Sequence, residues 1–200
     1  MMGYKHILAA AGLALTASAC VSPVGPVEVT RFHAPETVSQ LGSGTVAIIA
    51  GPNEDPDSLE FRTYAAAVSR QLRATGYTIV TDPAAADYRA LVSFDRFTRD
   101  EAGKRSPVSV GVGGSTGSYG SGLGIGIGIN LSGAPKPMVI SELFVALKTS
   151  GDIQNLWEGR AISEAKQGSP NAETALSAQK LAESLFVDFP GESGETIEVE

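Results

Sequence analysis

Apolar residues recur along this chain at two spacings, and each spacing predicts a different element. At intervals of three and four, Leu59, Phe61, Tyr64, Ala65, Val68 and Leu72 share one face of a helix, with Arg62, Arg70 and Arg73 on its other faces. Asp57 reads as its N-cap with Glu60 as the capping-box partner, and Gly76 reads as its stop. A second helix follows from Ala172, Ala175, Ala178, Leu181, Ala182, Leu185, Phe186 and Phe189, opened by Ser169-Pro170 and closed by Phe189-Pro190-Gly191.

At intervals of two the pattern predicts strands. Val27, Val29 and Phe32 alternate with polar residues, and Thr45 to Ala50 is a short β-branched run that reads as a buried strand. Tyr77 to Thr81 follows the first helix. Tyr88 to Arg99 is longer, with Tyr88, Ala90, Val92 and Phe94 on one face. Val139 to Lys148 places Val139, Leu143, Val145 and Leu147 on compatible faces, Ser150-Gly151-Asp152 marks a turn, and Ile153 to Glu164 returns around Trp157. Trp157 reads as a core or sheet-face residue. These elements predict an α+β fold: a largely antiparallel sheet with two helices packed on one face. The sheet is mixed if the strand, helix and strand between 45 and 81 form a parallel crossover.

Between Ser106 and Gly133 the period of two continues, but glycine takes the polar positions. Val108, Val110 and Val112 alternate with small residues, a loop follows over 113–120, and Leu123, Ile125, Ile127 and Ile129 then alternate with Gly122, Gly124, Gly126 and Gly128. This predicts a long glycine-rich β-hairpin with one aliphatic face and one bare face. Four alternating glycines weaken a strand unless something approaches closely, so Gly122, Gly124, Gly126 and Gly128 are a candidate contact surface. A dinucleotide-binding loop would need these glycines between a strand and a helix, and a P-loop would need a lysine and a hydroxyl residue; neither is present. The four-residue spacing of Gly120, Gly124 and Gly128 also suits close-packed membrane helices, but the apolar part is too short to span as one.

The chain begins with a different pattern. Lys5 is followed by an apolar run from Ile7 to Leu15, then by Thr16, Ala17, Ser18, Ala19 and Cys20, the only cysteine among 200 residues. Charge, a short hydrophobic run and small residues before a cleavage point are the parts of a secretory signal, and the run is too short to span a bilayer. With cysteine directly after Ala-Ser-Ala, the stretch resembles a bacterial lipoprotein signal, which implies lipidation of Cys20 with acyl chains such as palmitate. Residues 1–19 are then the signal peptide, 20–26 a lipidated tether broken by Pro23, Gly25 and Pro26, 27–191 a single domain, and 192–200 an acidic disordered tail carrying Glu192, Glu195, Glu198 and Glu200.

Charge and residue inventory narrow the function. The net charge of -7 disfavours nucleic acid and electrostatic adhesion to anionic lipid, so membrane attachment would rest on the acyl chains of Cys20. His33 is the only histidine left after processing and reads as a surface residue before a turn. Multi-histidine metal sites, Cys–His chemistry and a serine triad all lack material. Asp87, Asp95, Glu142, Glu158 and Glu164 lie on or beside strands at no diagnostic spacing, so no catalytic residue, metal ligand or cofactor is assigned.

Three short motifs carry a resemblance: Ala86-Asp87-Tyr88 leading into a strand, Leu156-Trp157-Glu158-Gly159-Arg160-Ala161 in the returning strand, and a last helix ending at Phe189-Pro190. Together with the lipoprotein signal they resemble a family of bacterial envelope lipoproteins defined by a domain of unknown function, over residues 27 to 191. The chain lacks the aromatic pair that the family often shows after the first strand, and its glycine-rich hairpin looks like an embellishment. The resemblance implies a fold and an address rather than a chemistry. Expected is a non-catalytic lipoprotein of the cell envelope. Val21 follows the cysteine in place of an inner-membrane-retaining aspartate, so the anchor is expected in the outer membrane facing the periplasm. The protein is expected to act by contact with another envelope protein or with copies of itself. The alternative is a carrier of an apolar ligand between sheet and helices, which needs a continuous apolar cavity of about 300 Å3 or more.

Overall fold

A computed structural model describes residues 25–100, 108–117, 120–129, 136–151 and 154–200, with no side chains considered between 108 and 129. The expected signal peptide over 1–19, Cys20 and the first part of the expected tether lie outside the described residues.

The strands are β1 (Val27–His33), β2 (Thr45–Ala50), β3 (Thr78–Val80), β4 (Tyr88–Arg99), β5 (Val108–Gly117), β6 (Gly120–Ile129), β7 (Met138–Thr149), β8 (Trp157–Lys166) and β9 (Thr196–Val199). The helices are α1 (Leu59–Ala74) and α2 (Thr174–Leu185). Seven strands make one open sheet in the order β3-β2-β4-β7-β8-β1-β9. β2 runs parallel to both β3 and β4, and every other pairing in that sheet is antiparallel, so the sheet is mixed. The parallel pair β2–β3 is joined through α1, the crossover that the pattern between 45 and 81 suggests.

Both helices pack on one face, α1 over β2, β3 and β4 and α2 over β1, β7 and β8, and they touch each other. Alternation decides which residues meet them. Val27 and Val29, Ala90 and Val92, Leu143, Val145 and Leu147, and Trp157 and Ala161 all enter one buried cluster with Tyr64, Val68, Leu72, Leu181 and Leu185. Trp157, Tyr64, Leu72, Leu143, Leu147, Leu181 and Leu185 are its largest fully buried side chains. Tyr64 stacks on Phe94 with ring centroids 3.5 Å apart, which ties α1 to β4. These side chains occupy the centre of the layer between sheet and helices; an open groove of about 480 Å3 lies beside α2 and β9, with Leu176, Lys180, Val187 and Val199 in its lining.

Several local expectations need correcting. α1 is capped by Ser58, whose side chain accepts from the Phe61 amide at 3.0 Å, not by Asp57. Leu59 stands two residues before Phe61 and so on the opposite side of the helix from the buried face, and it is 77% exposed. Phe32 does not join Val27 and Val29; it has the opposite parity and lies half-exposed, while Arg31 takes the inward position. Ser169-Pro170 opens only a short 3-10 turn to Ala172, and α2 begins at Thr174, leaving Ala175 exposed. α2 ends at Leu185, before the Phe189–Pro190 pair. The stretch 192–200 is not all tail: Thr196–Val199 pairs with β1, Val199 opposite Val27 and Ile197 opposite Val29. Ile197 and Val199 alternate with the glutamates, and this gives the segment an apolar side that packs at the sheet margin.

β5 and β6 pair antiparallel as a two-stranded sheet of their own. The register sets Val108, Val110 and Val112 opposite Ile129, Ile127 and Ile125, and Ser109, Gly111, Gly113 and Ser115 opposite Gly128, Gly126, Gly124 and Gly122. Pairing runs on to Gly117 opposite Gly120, through residues that the sequence reads as loop.

Candidate functional site

The densest polar construction lies where β1 and β8 meet the end of α2. Trp157 and Gly159 are neighbours on one face of β8, and the indole lies across the glycine: a Cβ there would sit 2.6 Å from the ring and 2.8 Å from Leu185 Cδ1. Only glycine lets the ring and Leu185 pack together over that strand. The ring stacks on Phe186 at 5.4 Å and meets Phe189 at 5.2 Å, and its Nε1–H donates to the Pro190 carbonyl at 2.9 Å.

Arg31 projects beneath this cluster and is 4% exposed. Its Nε donates to the Leu185 carbonyl at 2.9 Å and its Nη2 to the Ser184 carbonyl at 3.1 Å. Both are last-turn carbonyls, that of Ser184 also accepting from the Val187 amide at 3.4 Å, and a cation there also meets the negative end of the helix dipole. Burial lowers the Arg31 pKa, and the nearby Asp188 and Glu195 charges act to raise it. His33 is not a simple surface residue. Its Nε2 lies 3.0 Å from the Gly191 carbonyl, which can only accept, so Nε2 carries the proton. Its amide donates to Ser193 Oγ at 3.0 Å, and that hydroxyl donates back to the His33 carbonyl at 2.8 Å. The histidine, arginine and tryptophan thus hold the chain from 184 to 193 against the sheet.

The Ala86-Asp87-Tyr88 motif is a second brace. Asp87 accepts from the Thr45 amide at 2.9 Å and the Thr45 hydroxyl at 2.7 Å, and its own amide donates to that hydroxyl at 2.9 Å. Those bonds hold the Asp87 carboxyl below its usual pKa. Tyr88 donates to the Gln40 carbonyl at 2.9 Å, and Ser150 donates to the Ala86 carbonyl. The start of β4 is therefore fastened to β2 and to the end of β7.

The remaining carboxylates do not converge. Glu142 pairs with Arg160 at 2.9 Å, Glu164 with Arg99 at 2.7 Å, and Glu158 accepts from Asn155 at 2.9 Å. Asp95 sits opposite Glu142 in the register and is exposed. Among the described residues no three of His, Cys, Asp and Glu gather closely enough to hold a metal ion. On the face of the sheet away from the helices lies a depression of about 270 Å3, with Phe32, Phe144, Ile162, Glu158 and Arg160 in its lining.

Two segments leave the sheet at one end. Arg99 pairs with Met138, so the chain departs for β5 and returns from β6 at adjacent positions. Val27, the first residue of β1, shares a row with Ser163, Ser141 and Arg96, three residues inboard of that pair. Lys180 of α2 donates to the Gly25 carbonyl at 2.8 Å and fixes the entry of the chain.

The family described as a domain of unknown function, DUF4136, matches residues 34–191. The chain belongs to this family. Both motif braces, at Asp87 and at Trp157, fall inside the DUF4136 region. An uncharacterised protein of Zymomonas mobilis is similar to the chain, 30% identical over 215 aligned positions that cover 87% of this chain and 80% of the relative. Among solved structures, PelC of Paraburkholderia phytofirmans, solved as a dodecamer, aligns at TM-score 0.42 and 15% identity, covering 80% of this chain and 94% of PelC. A PDZ domain protein of Parabacteroides distasonis aligns at TM-score 0.46 and 12% identity, covering 88% of this chain and 39% of that protein.

Proposed function

We propose that this DUF4136 protein is a non-catalytic lipoprotein of the bacterial envelope, anchored through acylated Cys20 in the outer membrane and facing the periplasm, where it acts by contact. The observation that carries the reading is the run Ile7 to Leu15 followed by Ala17-Ser18-Ala19-Cys20, the chain's single cysteine. Six residues lie between Cys20 and Val27, and a fully extended chain from one to the other reaches about 25 Å. An anchored domain would therefore stay near the membrane surface, tether end first.

The full burial of Trp157, Tyr64, Leu143 and Leu185 at the centre of the layer between sheet and helices supports a contact role over carriage of an apolar ligand in that layer. The polar constructions support the same reading: Arg31, His33 and Asp87 are each committed to backbone partners within the fold. The contact surface proposed is the glycine-rich hairpin with Gly122, Gly124, Gly126 and Gly128, toward an envelope protein or another copy.

Crosslinking in intact cells with wild type and Cys20→Ser tests this. Wild type should fractionate with membranes and give a discrete crosslinked species; Cys20→Ser should lose both. Equal crosslinking and equal fractionation of the two proteins would contradict the proposal.

A further inference from the structure

The hairpin joins four observations that general membrane physics connects. Each arm is ten residues long. At about 3.3 Å per residue an arm reaches roughly 33 Å, and a tilted membrane-spanning strand needs about 9–11 residues. Over 108–113 and 124–129 the paired rows alternate, valine opposite isoleucine and then serine or glycine opposite glycine; Gly114 then faces Leu123, and the rows up to Gly117 opposite Gly120 hold only serine, threonine and glycine. Alternation of apolar and small or polar rows is the sequence form of a strand with lipid on one side and a lumen on the other. No charged residue or histidine occurs from 106 to 135, while Lys104, Arg105 and Lys136 flank the stretch and Tyr119 lies between the arms. Basic residues and tyrosine are favoured where a membrane segment meets the headgroups. Finally, the hairpin leaves the sheet at the end where the tether enters.

We propose that this hairpin is a membrane-spanning β-element, and that several copies of the chain pair their hairpins edge to edge to close a barrel. This rests on the membrane attachment proposed above. Copies are required because one hairpin has two open edges, and unpaired N–H and C=O groups are not tolerated in hydrocarbon. Edge pairing between copies satisfies them and removes the flat, uncharged edges that would otherwise aggregate. The valine and isoleucine rows then meet lipid, and the glycine and serine rows line the lumen. Bare lumen rows let a small ring close tightly, which gives the four alternating glycines a physical role.

Full-length protein extracted from membranes in detergent and reconstituted into phosphatidylethanolamine–phosphatidylglycerol vesicles holding a fluorescent dye tests this. Expected are protection of peptides from 106–133 against added protease, crosslinked species larger than a dimer, and release of the dye. Ile127→Arg, on an aliphatic row, should reduce dye release at least tenfold and expose the hairpin to protease, with the Trp157 unfolding midpoint unchanged. Leu59→Arg, on the exposed side of α1, should do neither. A cleaved hairpin on vesicle-bound wild type, a species no larger than a dimer, or retained dye would overturn the proposal whatever the variants do. Acylated Cys20 with a cleaved hairpin would sink this proposal and leave the anchoring intact. A protected, dye-releasing hairpin in a wild type whose Cys20 is unmodified would do the reverse.

Discussion

Gly159→Ala should destabilise the domain although alanine is the better strand residue. Removing the backbone freedom of glycine in a strand stabilises by about 0.5–1 kcal/mol. Against that, the new Cβ would lie 2.6 and 2.9 Å from two atoms of the Trp157 ring and 2.8 Å from Leu185 Cδ1. Both groups are fully buried, so neither can swing into solvent. The indole is further held by its bond to the Pro190 carbonyl and by Phe186 and Phe189. Overpacking of a filled core costs about 1–3 kcal/mol. The clash therefore wins, with an expected net loss of about 1–2 kcal/mol. Trp157 is the only tryptophan, so fluorescence during urea unfolding reads the affected site directly. The clash also predicts a coupling: with Leu185→Ala already present, adding Gly159→Ala should cost at least about 0.5 kcal/mol less than it does alone. Unchanged or raised stability in the single variant, or strict additivity in the double, would refute the packing argument.

Leu185→Ala alone should cost about 2–5 kcal/mol by urea unfolding, because its side chain is fully buried between α2 and the sheet. Arg31→Met should lower stability by about 1–3 kcal/mol in the same assay, since it removes the guanidinium donors to the Leu185 and Ser184 carbonyls while sparing the burial of a charge. Asp87 has a folded-state pKa below its unfolded value, so its contribution is present above the unfolded pKa and is lost as pH falls through the folded one. Asp87→Asn should accordingly be less stable at neutral pH and show a shallower loss as pH falls below the ordinary carboxylate range, followed by thermal melts over that fall.

Elements with many turns or residues were legible in the chain, and single positions were less so. The long periodic runs of α1, β4 and β7 carried enough repeats to fix their faces, and Val139, Leu143, Val145 and Leu147 are all buried as that parity requires. The ends depend on one hydrogen bond each, so Ser58 rather than Asp57 caps α1, and α2 starts at Thr174. β9 was hidden because Ile197 and Val199 sit among glutamates, and a strand of four residues becomes visible only beside the free edge of β1. Arg31 was missed because a charge in an alternating pattern reads as a break, although its parity with Val27 and Val29 pointed inward. The partner that makes such a position tolerable, the end of α2, lies more than 150 residues away. The candidate site divides the same way. The lipidation expected at Cys20 is read from local order alone and lies outside the described residues, whereas the roles of His33, Asp87 and Trp157 depend on chain that only the fold brings to them.

The central claim is attachment through Cys20, and mass spectrometry of the mature protein isolated from cell membranes tests it most directly. Expected is an N-terminal peptide that begins at Cys20 and carries the added mass of acyl chains, absent from Cys20→Ser. An N-terminus at any other residue, or an unmodified Cys20, would contradict it.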